Sequence, residues 1–219
     1  MPLHPEGAFT SGPLFQLVGL AAARGGDPLE WQVLRMARVL RTEHWDPTWR
    51  HPLQPLASQL DHLALTFDED FFRSCPKDAQ ETWLAAASAT DDTVSGFMTG
   101  LAALLRLADR QGSTGHGDVP LAKWEAAARF PLLRDLDTWA YDEEYDSFES
   151  AFQGRIDGEH PYCDREVVPF VAQASEALAL CAACEHFRRD FLGFDTSVTP
   201  AALALVVDLG YAHMVGHHR

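Results

Sequence analysis

Strand-forming sequence is missing from this chain of 219 residues. The alternating β-branched runs bounded by turn residues that a sheet requires do not occur along it, which argues against a β or mixed fold. Cysteine is scarce. The four residues Cys75, Cys163, Cys181 and Cys184 are too few for a disulfide scaffold and suit a reducing compartment, so a cytoplasmic location is expected. Basic residues are outnumbered, 17 Lys and Arg against 32 Asp and Glu, for a formal charge of −15. A surface of that sign repels phosphate backbones and anionic membranes, so direct nucleic-acid binding is not expected.

Long apolar runs are lacking too. The longest, Val167 to Cys184, is interrupted by Pro169, Gln173, Ser175 and Glu176, the wrong profile for a bilayer span. The apolar stretch Pro13 to Ala23 follows Glu6 rather than a basic cluster, so no secretory signal is expected. Catalytic motifs are absent: there is no His-Glu-x-x-His, P-loop, Gly-x-Ser-x-Gly or dinucleotide fingerprint. Ser113 lies in the glycine-rich run Gln111 to Gly117, which reads as a surface loop. No catalytic residue can be named, and no cofactor or metal is expected.

What is present is ample apolar material, 47% hydrophobic and 11% aromatic residues, enough for one core. A single domain over residues 1–219 is expected, with 1–12 as a flexible lead-in. Prolines fall where helices begin. Asp27-Pro28-Leu29-Glu30 reads as a cap, a first-turn proline and a reaching glutamate before the run Trp31 to Leu40, and Thr199-Pro200 repeats the device. Pro52, Pro76 and Pro120 open three more helices, and Thr90 is placed to cap Thr93 to Arg110. The longest helix is expected from Asp164 to Leu192, kinked or ended early by Pro169, buried nearly all round. Gly154 and Gly158 mark a break. The resulting fold class is all-α, a single-domain orthogonal or bundle-like array of eight to ten helices.

Charge is concentrated. Between Asp135 and Glu159 stand nine acidic residues and one arginine, a net −8 of the total −15 in about a ninth of the chain. Tyr141, Tyr145, Phe148 and Phe152 recur at spacings that place four rings on one helical face, with Asp142, Glu143, Glu144, Asp146 and Glu149 on the others. Such a helix packs its rings on the core and leaves its carboxylates in water. It also suits docking of a basic protein, with Trp139 and a tyrosine as anchors and the carboxylates steering the encounter. The candidate partner-binding residues are therefore Trp139, Tyr141, Asp142, Glu143, Glu144, Tyr145, Asp146 and Glu149.

Three other constellations bear on function. Cys181-x-x-Cys184 with His213-x-x-x-His217 can be written as a zinc set, although cysteines within Ala-Leu-Cys-Ala-Ala-Cys read more simply as small apolar residues. Glu43-His44, Glu159-His160 and Glu185-His186, with His62, offer acid–base groups, but adjacent helical residues diverge by about 100° and cannot act together as Glu-x-x-His does. Arg35, Arg38 and Arg41 form a basic stripe that reads as a solvated face.

Read in order, Phe15-Gln16-Leu17-Val18-Gly19-Leu20, Glu30-Trp31-Gln32-Val33-Leu34, Val94 to Leu101, the acidic segment Tyr141 to Glu149, and Glu166 to Val171 resemble the small, acidic, all-helical YgfB/YecA-type bacterial family. The resemblance spans most of Gly12 to Leu180 and implies a helical fold without a secure reaction. The close thiol cluster of that family's zinc-bearing members is absent here. The expectation is a non-enzymatic regulator or inhibitor acting on a basic protein partner. The alternative is a helical metal- or cofactor-dependent enzyme whose site is assembled from dispersed His, Glu and Asp.

Overall fold

Helix signals in the sequence become helices almost throughout. The computed structural model describes residues 5–43, 53–112, 114–136, 144–195 and 197–217. It is 78% helical, with no strand and ten helices of seven residues or more among the described residues. The all-α expectation is met. The chain divides into two compact units, Met1–Gly115 and His116–Arg219.

The first unit contains α1 (Pro5–Thr10), α2 (Gly12–Ala22), α3 (Leu29–Glu43), α4 (Gln54–Leu65), α5 (Glu69–Ser74), α6 (Lys77–Ser88) and α7 (Val94–Gln111). Its axis is the packing of α4 along α7, with α2 against α6 and α3 against α7. Apolar spacing explains the contact: Phe97, Met98, Leu101 and Leu105 line one face of α7, and Leu56, Leu60 and Leu63 one face of α4, all buried. Trp83 of α6 is fully buried, and its indole N–H donates to the Phe9 carbonyl at 3.0 Å, so its one polar atom is satisfied. That bond and the buried Phe9 ring hold α1 to the unit. Much of the segment read as a flexible lead-in is thus helical from Pro5.

Local corrections have local causes. Thr93 rather than Thr90 caps α7, accepting from the Gly96 N–H at 3.1 Å, because only Thr93 immediately precedes the first turn. Asp27 does not cap its helix through a side-chain bond but accepts from Arg35 Nη1 at 2.6 Å and Gln32 Nε2 at 3.3 Å. The basic stripe is not a solvated face: Arg35 and Arg38 are buried. Arg38 donates to the Thr114 carbonyl at 3.3 Å and Arg41 to the Gly112 carbonyl at 2.6 Å. Carbonyls beyond the C-terminus of α7 carry negative partial charge, and guanidinium groups complement it. Pro52 and His44 lie outside the described residues.

The second unit contains α8 (Lys123–Arg129), a 3₁₀ turn (Pro131–Asp135), α9 (Phe148–Glu159), α10 (Cys163–Ala183), α11 (Glu185–Phe194) and α12 (Pro200–His217). Pro120 stands three residues ahead of α8 instead of opening it, whereas Pro200 opens α12 with Thr199 accepting from the Ala202 N–H at 3.1 Å. The expected long helix is two. Cys184 adopts an extended conformation and separates α10 from α11, while Pro169 lies within α10, where it forgoes one backbone bond without ending the helix. Nor is α10 buried all round. Cys163, Val167, Phe170, Val171, Ala174, Ala177 and Cys181 form a single buried stripe.

α10 and α12 pack closely and antiparallel. Gly210 makes this approach possible: a Cβ there would lie 2.2 Å from Val171 Cγ2, well inside contact distance. Elsewhere in the core Phe130, Phe187 and Phe191 pack edge to face and stacked. Polar ties run between its elements: Arg129 pairs with Glu176 at 2.9 Å, and the Leu132 N–H donates to Gln173 Oε1 at 3.0 Å.

Candidate functional site

The acidic segment enters the second unit at α9. Ser147 caps this helix, accepting from the Ser150 N–H at 3.1 Å while Ser150 Oγ accepts from the Ser147 N–H at 3.1 Å. This reciprocal pair starts the helix at Phe148. The four-ring stripe expected from Tyr141 to Phe152 does not run through Tyr145: residues 144–147 are irregular, and among the described residues Phe148 and Phe152 share a helical face, their rings stacked at 6.4 Å. Phe152 is buried in the core and Phe148 packs partly against it.

Tyr145 instead turns over α9. A Cβ at Gly154 would sit 2.5 Å from the Tyr145 hydroxyl, so the ring rests where only glycine leaves room. Gly154 and Gly158, read as a break, both lie inside α9, and Gly154 is accounted for by this tyrosine. Glu144, Tyr145, Asp146 and Glu149 are exposed. Trp139, Tyr141, Asp142 and Glu143 lie outside the described residues, as does Ser113.

At the other end of α9 a second group of side chains converges. His160 is the residue after α9, Cys163 is the first residue of α10, and His213 and His217 lie one turn apart near the end of α12. Cys163 Sγ is 3.1 Å from His213 Nε2 and 3.8 Å from His160 Nδ1. One donor atom from each of His160, Cys163 and His213 lies within 4.8 Å of the others. The His217 ring is 4.8 Å from that of His213 and 5.8 Å from that of His160, centroid to centroid. Cys163 and His213 are buried, while His160 and His217 are exposed, so the group opens to solvent on one side. A thiol with imidazoles at these distances can share hydrogen bonds or act as metal donors.

The sequence-derived zinc set is corrected by this arrangement. His213 is a member, but Cys181 and Cys184 are not. Antiparallel packing brings the end of α12 to the start of α10, and Cys181 stands 18 residues along α10, roughly 27 Å away at 1.5 Å per residue. Cys181 behaves as an apolar side chain: burial pushes its thiol above the ordinary range, with the Arg188 charge opposing the shift. His-x-x-Cys over 160–163 was the signal available in the sequence. His62 and the Glu185-His186 pair are exposed.

These features define an all-helical protein with an acidic, solvent-facing helix entry and a His/Cys group at that helix's far end. Among known proteins no family model, curated sequence or solved structure matches the chain.

Proposed function

We propose that this chain is a non-enzymatic, acidic protein-binding regulator whose partner presents a Lys- and Arg-rich surface. The observation that carries the reading is the display at the start of α9. Glu149 on α9, and Glu144, Tyr145 and Asp146 in the irregular stretch just before it, are exposed beside a helix that Phe148 and Phe152 anchor to the core. Carboxylates gathered at the start of an anchored helix attract a basic surface. Tyr145, 39% exposed over Gly154, adds an aromatic ring that a guanidinium can cover.

The test uses an arginine-rich peptide as probe and NMR to locate it. Shifts concentrated at residues 144–154, lost in the Glu144→Gln, Asp146→Asn, Glu149→Gln variant, support the assignment. Association with that variant should slow by on the order of tenfold at low salt, the wild-type advantage shrinking as salt rises. Shifts spread evenly over the surface, or unchanged association by the variant, would overturn it.

A further inference from the structure

We propose that His160, Cys163 and His213 form a binding site for one thiophilic divalent ion of the zinc class. The site is independent of the acidic surface at the start of α9, since neither Tyr145 nor the carboxylates beside it contribute to it.

The argument begins with distance. A tetrahedral zinc ion bound at ~2.3 Å by sulfur and ~2.0 Å by nitrogen separates those two donors by about 3.6 Å. The two Cys163 contacts, 3.1 Å to His213 and 3.8 Å to His160, bracket that edge. Imidazoles bound to one such ion hold their ring centres roughly 5 Å apart. The three rings here are separated by 5.7 Å (His160 to His213), 5.8 Å (His160 to His217) and 4.8 Å (His213 to His217). His217 stacks on the His213 ring one helical turn further on but its nitrogens are not part of the donor cluster, so the fourth position of the ion falls to solvent.

A simple hydrogen bond explains less. A buried thiol donating to His213 accounts for one contact of the sulfur, whereas His160 Nδ1 also approaches it, at 3.8 Å, from a separate element. The residues arrive from three places in the fold: the end of α9, the first turn of α10 and the last turn of α12. Gly210, by allowing α12 to meet α10 at Val171, sets the height at which His213 reaches Cys163.

Donor chemistry selects the ion. One sulfur and two ring nitrogens suit Zn²⁺ and its spectroscopic substitute Co²⁺, whereas Ca²⁺ and Mg²⁺ require oxygen ligands. Binding is a proton-for-metal exchange at sulfur: the S–H bond of Cys163 breaks, the proton leaves to solvent, the sulfur–metal bond forms, and no electron changes hands. The exposed faces of His160 and His217 provide the entry path.

Titration of the full-length, metal-stripped protein with Co²⁺ provides the test. One equivalent should bind with thiolate-to-cobalt charge transfer in the near ultraviolet and the strong visible bands of tetrahedral cobalt, both lost on adding one equivalent of Zn²⁺. Cys163→Ser should abolish the charge-transfer band. Because Cys163 is buried and its replacement could disturb folding, His160→Gln, at an exposed position, forms the second arm. It should keep the wild-type circular dichroism and weaken Co²⁺ binding at least about tenfold. The variant Cys181→Ala, Cys184→Ala should leave the spectrum unchanged. The assignment is overturned if no charge-transfer band forms, if the band survives Cys163→Ser or disappears with Cys181 and Cys184, or if the folded His160→Gln variant binds as the wild type does.

Discussion

Single side chains in this protein hold consequences that burial and charge decide. Asp61 of α4 pairs with Arg106 of α7, and the arginine's hydrogen bond holds the aspartate below its ordinary 3.8, desolvation opposing it and the arginine's charge assisting. A carboxyl depressed on folding stabilises the protein above its unfolded value and loses that contribution as pH falls through the folded one. Asp61→Asn should therefore lower Tm near neutral pH, and the gap from wild type should close in strong acid. The pair is exposed, so added salt should narrow the gap as well. The thiols separate in the same way. Under limiting iodoacetamide at neutral pH, Cys184 should be alkylated first and Cys181 should lag, since burial disfavours its thiolate. Faster labelling of Cys181 in the folded protein would contradict its place in the core.

At the scale of elements, packing tolerances can be tested directly. Gly210→Ala drives a methyl into Val171, a stiff β-branched side chain on α10. Chemical denaturation should show a loss of about 1–3 kcal/mol. Ser147→Ala removes the cap of α9 and should cost about 1 kcal/mol. The helices were legible because their signals are local: the run Thr93 to Arg110 and a threonine before Pro200. Errors arose where a distant partner decides. Arg35, Arg38 and Arg41 look like a solvated stripe until Asp27 and the carbonyls of Gly112 and Thr114 come to meet them. Cys181, Cys184, His213 and His217 do not assemble as one set, because no spacing in the sequence states which way α12 runs along α10. Tyr145 left its expected face because Ser147 starts the helix after it.

For the whole molecule, the charge of −15 acts in two opposed directions. Self-repulsion weakens the folded state, so moving from low salt to about 0.15 M, where the Debye length is about 8 Å, should raise Tm. The same screening should slow encounter with a basic partner. Parallel thermal and association measurements across one salt series separate the effects, and a Tm that falls with salt would show that favourable ion pairs outweigh the repulsion.

Cys163 and His213 are 50 residues apart in the chain, and an ion held between them acts as a cross-link. Closing a loop of that length lowers the entropy of the unfolded chain as a disulfide does, by about 4 kcal/mol. No oxidant is needed, so a protein whose four cysteines form no disulfide can have a reversible staple by this route. Withdrawing the metal would reopen that loop.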